Sequence, residues 1–123
     1  MGEHLRLLMA EDNEINRKLA DLLFKRQGLQ LDFADNGENA LNKVKEGNYD
    51  LVFMDIEMPV MGGLEATKQI RKQMGEAAPP IVALTAHAMD GDRERFMNAG
   101  MSDYLTKPID LNALKEIIDR HSS

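Results

Sequence analysis

The stretch Leu51-Val52-Phe53-Met54-Asp55 decides the fold of this chain, because a continuous apolar run ends abruptly at an acid. Such a run is expected for a parallel strand that is buried on both faces. In open parallel sheets, the residues directly after the strands line the edge where ligands bind. The stretch therefore predicts a buried strand, and it places Asp55 where a loop can carry chemistry.

Four further short apolar segments accompany this one, and segments with helical spacing separate them. The predicted strands span residues 5–10, 29–34, 51–54, 81–84 and 104–106. This alternation predicts an α/β fold whose five parallel strands form one open sheet with helices on both faces. Right-handed crossovers favour the flavodoxin-like, doubly wound (βα)5 arrangement with strand order 2-1-3-4-5. A closed barrel needs eight such units, which 123 residues cannot supply.

Each predicted helix carries an apolar stripe that is expected to pack against the sheet. The stripes are Ile15, Leu19, Leu22 and Leu23; Ala40, Leu41 and Val44; Leu64, Thr67, Ile70 and Met74; Met89, Phe96 and Met97; and Leu111, Leu114, Ile117 and Ile118. Asp35 or Asn36 is expected to cap the second helix, and Asp110 the last one. A basic run in the third helix is interpreted as a solvated face, formed by Lys68, Arg71 and Lys72.

The composition limits the classes of function that this chain can have. The 123 residues are expected to form one domain, residues 1–123, with a formal net charge of −6. This acid excess disfavours direct contact with nucleic acid or an anionic membrane, because both attract Lys and Arg. The absence of Cys excludes disulfides, thiol catalysis and Cys-type zinc sites. The sequence has neither a long apolar membrane segment nor a signal peptide, so we expect a cytoplasmic protein, or the cytoplasmic part of a membrane-bound one.

Reactive side chains follow four of the predicted strands. Glu11 and Asp12 follow the first strand, Asp55 the third, Thr85 the fourth and Lys107 the fifth. The first and third strands are neighbours in the predicted order, so three carboxylates are expected to converge. Close carboxylates repel each other unless a cation neutralises them or their pKa rises. Oxygen ligands without a nearby His favour Mg²⁺, which usually also contacts a phosphate.

A phosphoryl group suits this set, because Lys107 supplies a cation and Thr85 a hydroxyl donor. An aspartate in such surroundings can itself be the nucleophile and form an aspartyl phosphate. Glu11 and Asp12 adjoin each other on one loop and suit metal binding, whereas Asp55 stands alone after a strongly apolar strand. The pattern therefore indicates Asp55 as the phosphoacceptor and Mg²⁺ as the cofactor.

Four motifs carry a resemblance to a known family. They are Glu11-Asp12-Asn13, Met54-Asp55-Ile56-Glu57-Met58-Pro59, Ala83-Leu84-Thr85-Ala86 and Tyr104-Leu105-Thr106-Lys107-Pro108. The motifs occur in the family's order and each belongs to the end of a predicted strand. Over essentially its whole length, the sequence resembles the receiver domain of two-component response regulators.

This resemblance implies a role for each site residue. Asp55 would accept a phosphoryl group from a phosphohistidine on a histidine kinase or a histidine-phosphotransfer protein. Glu11, Asp12, Asp55 and the main-chain carbonyl of Glu57 would bind Mg²⁺. Lys107 would pair with a phosphoryl oxygen. The domain would assist only its own phosphorylation and dephosphorylation, and would not be an enzyme.

The resemblance also implies a switch. Thr85 would move toward the phosphoryl group and hydrogen-bond to it, and Tyr104 would change rotamer in response. The face formed by the fourth helix, the fifth strand and the fifth helix would change with them. In the family the peptide bond corresponding to Lys107-Pro108 is cis, an isomer that costs little before proline.

Three runs of residues indicate which kind of receiver domain the sequence resembles, namely residues 11–16, 58–63 and 85–89. They are similar to receivers fused to hybrid sensor histidine kinases, which usually pass the phosphoryl group to a histidine-phosphotransfer protein. A stand-alone, single-domain response regulator is the alternative. In either case we expect a monomer or a weak dimer that makes no direct contact with nucleic acid or membrane. His87 is expected on an exposed loop.

Two other functions are disfavoured. A haloacid-dehalogenase-type phosphatase also forms an aspartyl phosphate, but its nucleophile follows the first strand, where this chain has Glu11 and Asp12. A nucleotide- or flavin-binding domain would need a glycine-rich first turn, and this turn has no Gly.

Overall fold

The chain forms one five-stranded parallel sheet with helices on both faces, in a computed structural model that describes residues 5–86 and 89–121. The strands are β1 (Leu7–Ala10), β2 (Leu31–Ala34), β3 (Leu51–Asp55), β4 (Ile81–Thr85) and β5 (Asp103–Thr106). The helices are α1 (Glu14–Arg26), α2 (Gly37–Glu46), α3 (Gly63–Met74), α4 (Asp92–Ala99) and α5 (Leu111–His121). The sheet order β2-β1-β3-β4-β5 confirms the predicted flavodoxin-like fold.

The central strands are buried on both faces, as their apolar runs predicted. Every residue of β1, β3 and β4 is buried. One face of the sheet packs Phe53 against Phe24 of α1, with ring centroids 5.4 Å apart and an edge-to-face arrangement. The opposite face packs around Met54, Ile70 and Phe96. Burial of each such side chain stabilises the fold by about 1.5–3 kcal/mol, so the sheet is a rigid base for its loops.

Side-chain caps set the starts of three helices. The Asn36 side chain accepts the Asn39 N–H and caps α2, and Asp110 accepts the Ala113 N–H at the start of α5. Both caps were expected. Asn13, which the sequence reasoning did not assign, caps α1.

Three of the four residues that were predicted to form the core face of α1 do not lie in the core. Ile15, Leu19 and Leu22 are 69%, 61% and 53% exposed, whereas Ala20 and Phe24 are buried. A helix approaches a sheet most closely where a small residue lies at the contact, and Ala20 provides that contact beside the large Phe24. The aliphatic stripe is therefore displaced to solvent, and it forms an exposed apolar face on α1.

Two other expectations also need correction. Met89 precedes α4 and is 71% exposed, so Phe96 supplies the buried contact of that helix. Arg71 does not lie on a solvated face, because its Nε donates a 2.7 Å hydrogen bond to the Gly100 carbonyl oxygen. A long side chain can cover apolar surface with its stem while its head binds a distant group. Within the described residues, no helix combines the length and apolar character that a membrane crossing requires.

The loop after β3 contains a strained turn at Val60. Its φ is +68°, and the Met61 N–H donates to the Pro59 carbonyl oxygen at 2.7 Å, which closes a three-residue turn. A β-branched residue at positive φ is disfavoured, since its side chain collides with its own backbone. The loop therefore stores conformational strain close to Asp55.

We expect Val60→Gly to raise the free energy of unfolding by about 1 kcal/mol. Relief of about 1–3 kcal/mol of strain exceeds the cost of about 0.5–1 kcal/mol for fixing a glycine. Urea denaturation measures the change. Met89→Gly, at another exposed loop residue, is the control and should bring no gain. An unchanged or lowered stability for Val60→Gly would show that the turn is not strained.

Candidate functional site

Three carboxylates meet at the carboxyl edge of the sheet. Oxygen atoms of Glu11, Asp12 and Asp55 lie within 4.8 Å of one another. The register of the sheet causes this meeting, because Ala10 of β1 pairs with Met54 of β3 and the acids follow directly. Glu11 and Asp55 are only 2% and 5% exposed, whereas Asp12 is exposed. The structure thus brings together the acids that the sequence places at adjacent strand ends.

Lys107 lies between the two buried acids. Its Nζ is 2.9 Å from Glu11 Oε1 and 2.7 Å from Asp55 Oδ2. The main chain fixes this residue, because the Lys107 N–H donates to the Thr85 carbonyl oxygen at 2.8 Å. The following peptide bond, Lys107–Pro108, is cis. One ammonium group therefore offsets part of the charge of two carboxylates.

Burial and nearby charges shift the pKa values of Asp55 and Glu11 in opposite directions. Burial, together with the nearby Glu11 carboxylate, raises the pKa of Asp55 to about 6 despite its bond to Lys107. Burial also acts to raise the pKa of Glu11, but bonds from Lys107 and the Asn13 N–H outweigh it and lower that pKa overall. The ionised form of Asp55 is thus the costly one, and a further cation would stabilise it.

We expect the stability that Asp55 contributes to the metal-free protein to fall as the pH rises from 4 to 7. The raised pKa of Asp55, about 6 against an ordinary 3.8, means that the folded state binds this proton more tightly than the unfolded state does. The contribution of Asp55 to the free energy of unfolding is fully present below pH 3.8 and is lost as the pH rises through about 6.

The measurement is urea denaturation of the wild type and of Asp55→Asn across this pH range, with and without Mg²⁺. The stability advantage of the variant should grow with pH, by up to about 3 kcal/mol. Mg²⁺ should remove most of that growth, because it stabilises the carboxylate. A constant difference between the two proteins would contradict the raised pKa.

Close backbone packing fixes the position of Asp55. The Glu57 N–H donates to Asp55 Oδ1 at 3.1 Å, and the Ile56 N–H donates to the Leu84 carbonyl oxygen at 3.0 Å. A Cβ atom at Gly63 would lie 2.1 Å from the Asp55 carbonyl oxygen. Only glycine allows the start of α3 to lie so close to the end of β3.

An acidic cavity of about 240 Å³ contains these groups, and Thr85, Glu57 and Ala86 also line it. Thr85 ends β4 and is 8% exposed. Tyr104 lies on β5, where its ring packs against Phe96 of α4 with centroids 6.2 Å apart. His87, expected on an exposed loop, lies outside the described residues.

An apolar cavity of about 340 Å³ adjoins the acidic one. It runs between α1 and the segment after β5, and Leu19, Leu22 and Ile109 line it. Glu11 and Lys107 line both cavities. The two cavities therefore share a charged wall, and the exposed apolar face of α1 lies beside the carboxylates.

The sequence reasoning missed two residues that hold the loop after β1. The Asn13 N–H donates to Glu11 Oε2 at 3.2 Å, and Arg17 Nη1 donates to the Glu11 carbonyl oxygen at 2.8 Å. An Asn before a helix is a recognisable cap signal, so Asn13 could have been found. Arg17 had no such signal, because its bond depends on how α1 returns past the loop.

The chemistry of the donor set suits a hard divalent cation. The converging atoms are all carboxylate oxygens, which Mg²⁺ prefers over nitrogen or sulfur ligands. Two of the three acids are buried, so their mutual repulsion is weakly screened. A cation at this cluster would relieve that repulsion, and the residues therefore fit a metal site.

Known proteins with related sequences are signalling proteins. Residues 7–119 match the family model of the response regulator receiver domain. The hybrid signal transduction histidine kinase I of Dictyostelium discoideum is 43% identical over an alignment of 121 residues, which covers 93% of this chain and 7% of that protein. The chain thus corresponds to a small part of this much longer relative.

Solved structures of similar chains share the fold. The receiver domain of the sensor histidine kinase PA1611 from Pseudomonas aeruginosa PAO1, with a magnesium ion in its active-site cleft, is 36% identical. Its TM-score is 0.86, with 95% of this chain and 96% of that chain covered. The receiver domain of Ssk1 from Saccharomyces cerevisiae, in complex with the phosphotransfer protein Ypd1, is 37% identical. Its TM-score is also 0.86, with coverage of 95% and 88%.

Fold, acidic cluster and sequence similarity agree. The family match extends over nearly all of the chain, and it includes every residue of the cluster and Lys107. The chain therefore belongs to the response regulator receiver domain family, whose members are signalling phosphoacceptors and not classical enzymes.

Proposed function

We propose that Asp55 is the residue of this chain that accepts a phosphoryl group from a phosphohistidine, with residues 1–123 acting as one receiver domain. The observation that carries the proposal is the placement of Asp55. The residue is 5% exposed, lines the acidic cavity, and has a cation 2.7 Å from its carboxylate. A nucleophile in such a site is held in position, and the nearby cation stabilises the negative charge that develops during the transfer.

The proposed phosphoryl transfer to Asp55 exchanges a phosphorus–nitrogen bond for a phosphorus–oxygen bond. A carboxylate oxygen forms a bond to phosphorus while the phosphorus–nitrogen bond of the phosphohistidine breaks. The electron pair of that bond returns to the imidazole nitrogen. Lys107, already beside Asp55 Oδ2, pairs with an oxygen of the transferred group. Most of the catalysis is positioning and charge neutralisation, as in other phosphoryl transfers.

Mg²⁺ would be held by the carboxylates of Glu11, Asp12 and Asp55 and by the main-chain carbonyl of Glu57. When bound, it neutralises the carboxylates and the phosphoryl oxygens. The all-oxygen cluster supports this choice, and so does the magnesium ion in the cleft of the PA1611 receiver domain. Asp12 is the exposed member of the cluster, so a hydrated ion can approach from that side.

The phosphorylated state would be transmitted by Thr85 and Tyr104. The Thr85 hydroxyl would turn to the phosphoryl group from its place in the acidic cavity. Tyr104 would respond because it lies on the neighbouring strand, paired with Ala83, and contacts α4 through Phe96. The added charge of about −2 would thereby bias the face formed by α4, β5 and α5 between two conformations.

The exposed apolar face of α1 would bind the phosphohistidine-bearing helix of a histidine kinase or a histidine-phosphotransfer protein. Ile15, Leu19 and Leu22 form it beside the acidic cavity, and the apolar cavity continues it. The complex of the Ssk1 receiver domain with Ypd1 supports a partner of this class. Similarity to hybrid kinases favours a cytoplasmic receiver within such a protein, with a stand-alone regulator as the alternative.

We expect Leu19→Glu to slow labelling by a phosphorylated histidine-phosphotransfer protein at least tenfold, and to leave labelling by acetyl phosphate unchanged. A buried leucine contributes about 2 kcal/mol to such an interface, whereas the small donor needs only the acidic cavity. Phosphate incorporation with Mg²⁺ and with EDTA is measured for both donors. Labelling that is equal in EDTA would contradict the metal assignment.

Ala77→Glu is the matched control, because Ala77 is exposed and lies before β4, at the opposite edge of the sheet. It adds the same charge and should leave both donors unaffected. Equal slowing of both donors by Leu19→Glu would indicate damage to the site. No slowing of either donor would exclude the α1 face as the docking surface.

A further inference from the structure

Arg17 ties α1 to the loop that carries two of the three carboxylates. Its Nη1 donates a 2.8 Å hydrogen bond to the Glu11 carbonyl oxygen, and its main-chain N–H donates to the Asn13 carbonyl oxygen at 3.0 Å. Asp12 lies between these two held residues. The Arg17 side chain therefore fixes the main chain directly before the exposed acid of the cluster, and the first backbone hydrogen bond of α1 fixes it directly after.

The place of Arg17 in α1 is unfavourable for the helix itself. It is the fourth residue of α1, near the end where the helix dipole is positive. The charged ends of α1 otherwise follow the dipole, with Glu14 in the first turn and Lys25 and Arg26 in the last. Lys18, the other cation near the start of α1, pairs with Glu14 of the same helix. Arg17 instead bonds to the Glu11 carbonyl oxygen outside the helix, beside the acidic cavity.

The bond also explains how Glu11 keeps its orientation. The Glu11 N–H donates to the Ala34 carbonyl oxygen at 2.9 Å, so β2 holds one side of this residue and Arg17 holds the other. Its side chain is then free to accept bonds from Lys107 and the Asn13 N–H. Without Arg17, the peptide group between Glu11 and Asp12 would have no such partner on its carbonyl side.

We propose that Arg17 is a positioning residue of the metal site, holding the loop so that Asp12 and Glu11 present their carboxylates together. This inference rests on the proposed binding of Mg²⁺. The change in Mg²⁺ affinity that it predicts for loss of Arg17 is opposite in sign to the change expected from a purely electrostatic role. Removal of a nearby positive charge alone would strengthen the binding of a cation, whereas loss of positioning weakens it.

The test uses the whole chain and isothermal titration with MgCl2. Arg17→Ala should weaken Mg²⁺ binding about tenfold, the low end of the effect of losing a partner that orients metal ligands. Arg17→Gln, which keeps an N–H donor but no charge, should recover part of the affinity. Lys18→Ala is the control, since Lys18 is 76% exposed, pairs with Glu14, and carries the same charge. It should bind Mg²⁺ as the wild type does.

Hydrogen–deuterium exchange without metal gives a second reading. In Arg17→Ala the amides of residues 11–13 should exchange faster than in the wild type and in Lys18→Ala. Unchanged or tighter Mg²⁺ binding by Arg17→Ala, or unchanged exchange of the loop, would overturn the inference. A wild type that binds no Mg²⁺ would instead refute the proposed metal site, and the exchange comparison would still decide whether Arg17 positions the loop.

Discussion

We expect Asp55→Asn to abolish phosphorylation by both acetyl phosphate and a phosphohistidine donor, while the variant stays folded. An amide is a very poor nucleophile toward phosphorus, and Asp55 is buried, has a cation 2.7 Å away and is fixed at the end of β3. The fold should survive, because the Asn oxygen can still accept the Glu57 N–H that Asp55 Oδ1 accepts, and Lys107 keeps its bond to Glu11 Oε1. This is the largest effect we expect from a single substitution.

Intact-protein mass spectrometry and a urea melt together measure this result. The wild type should gain the mass of one phosphoryl group in Mg²⁺, and Asp55→Asn should gain none. Asp50→Asn is the matched control, because Asp50 is exposed and lies just before β3. It should be labelled like the wild type. Undiminished labelling of Asp55→Asn would show that another residue is the acceptor.

We expect Lys107→Ala to lower the free energy of unfolding by about 2 kcal/mol in the absence of metal. Removal of one partner from a buried ion pair costs about 3–5 kcal/mol, and the 24% exposure of the Lys107 side chain reduces that figure here. Glu11 and Asp55 are left facing each other without the ammonium group that now contacts both. The variant should also gain more stability from Mg²⁺ than the wild type does, because the ion then supplies the missing charge.

Urea denaturation at pH 7, with EDTA and with Mg²⁺, gives both quantities. Lys115→Ala, at an exposed position of α5, is the control and should change neither. A Lys107→Ala protein as stable as the wild type in EDTA would show that solvent already screens the two acids.

The fold and the placement of the site could be predicted because both depend on short-range features of the sequence. A strand buried on both faces needs an unbroken apolar run, as in Leu51–Met54, and a parallel sheet then brings its strand ends together. Asp55 and Lys107 are separated by 52 residues, yet their position relative to the strands suffices to place them at one edge. The confirmed strand order follows from the same alternation of strands and helices.

The face of α1 and the arginine contacts could not be predicted in the same way. Ile15, Leu19 and Leu22 have the spacing of a core stripe, and a helix with two apolar faces gives no sign of which one meets the sheet. The small size of Ala20 decides this, and its effect appears only when the helix and the sheet are packed. Arg17 and Arg71 each reach a main-chain carbonyl of another segment, and no local pattern marks such a bond.

The charged wall shared by the two cavities has a thermodynamic consequence. In the proposed function, a partner seated on the apolar side would touch the region of Glu11 and Lys107, beside the place where the acidic side would gain a phosphoryl group. Binding linkage is reciprocal, so the factor by which phosphorylation weakens docking equals the factor by which docking destabilises the phosphorylated state. A partner whose docking is weakened by phosphorylation would therefore lower the stability of the phosphorylated state by the same factor while it remains bound.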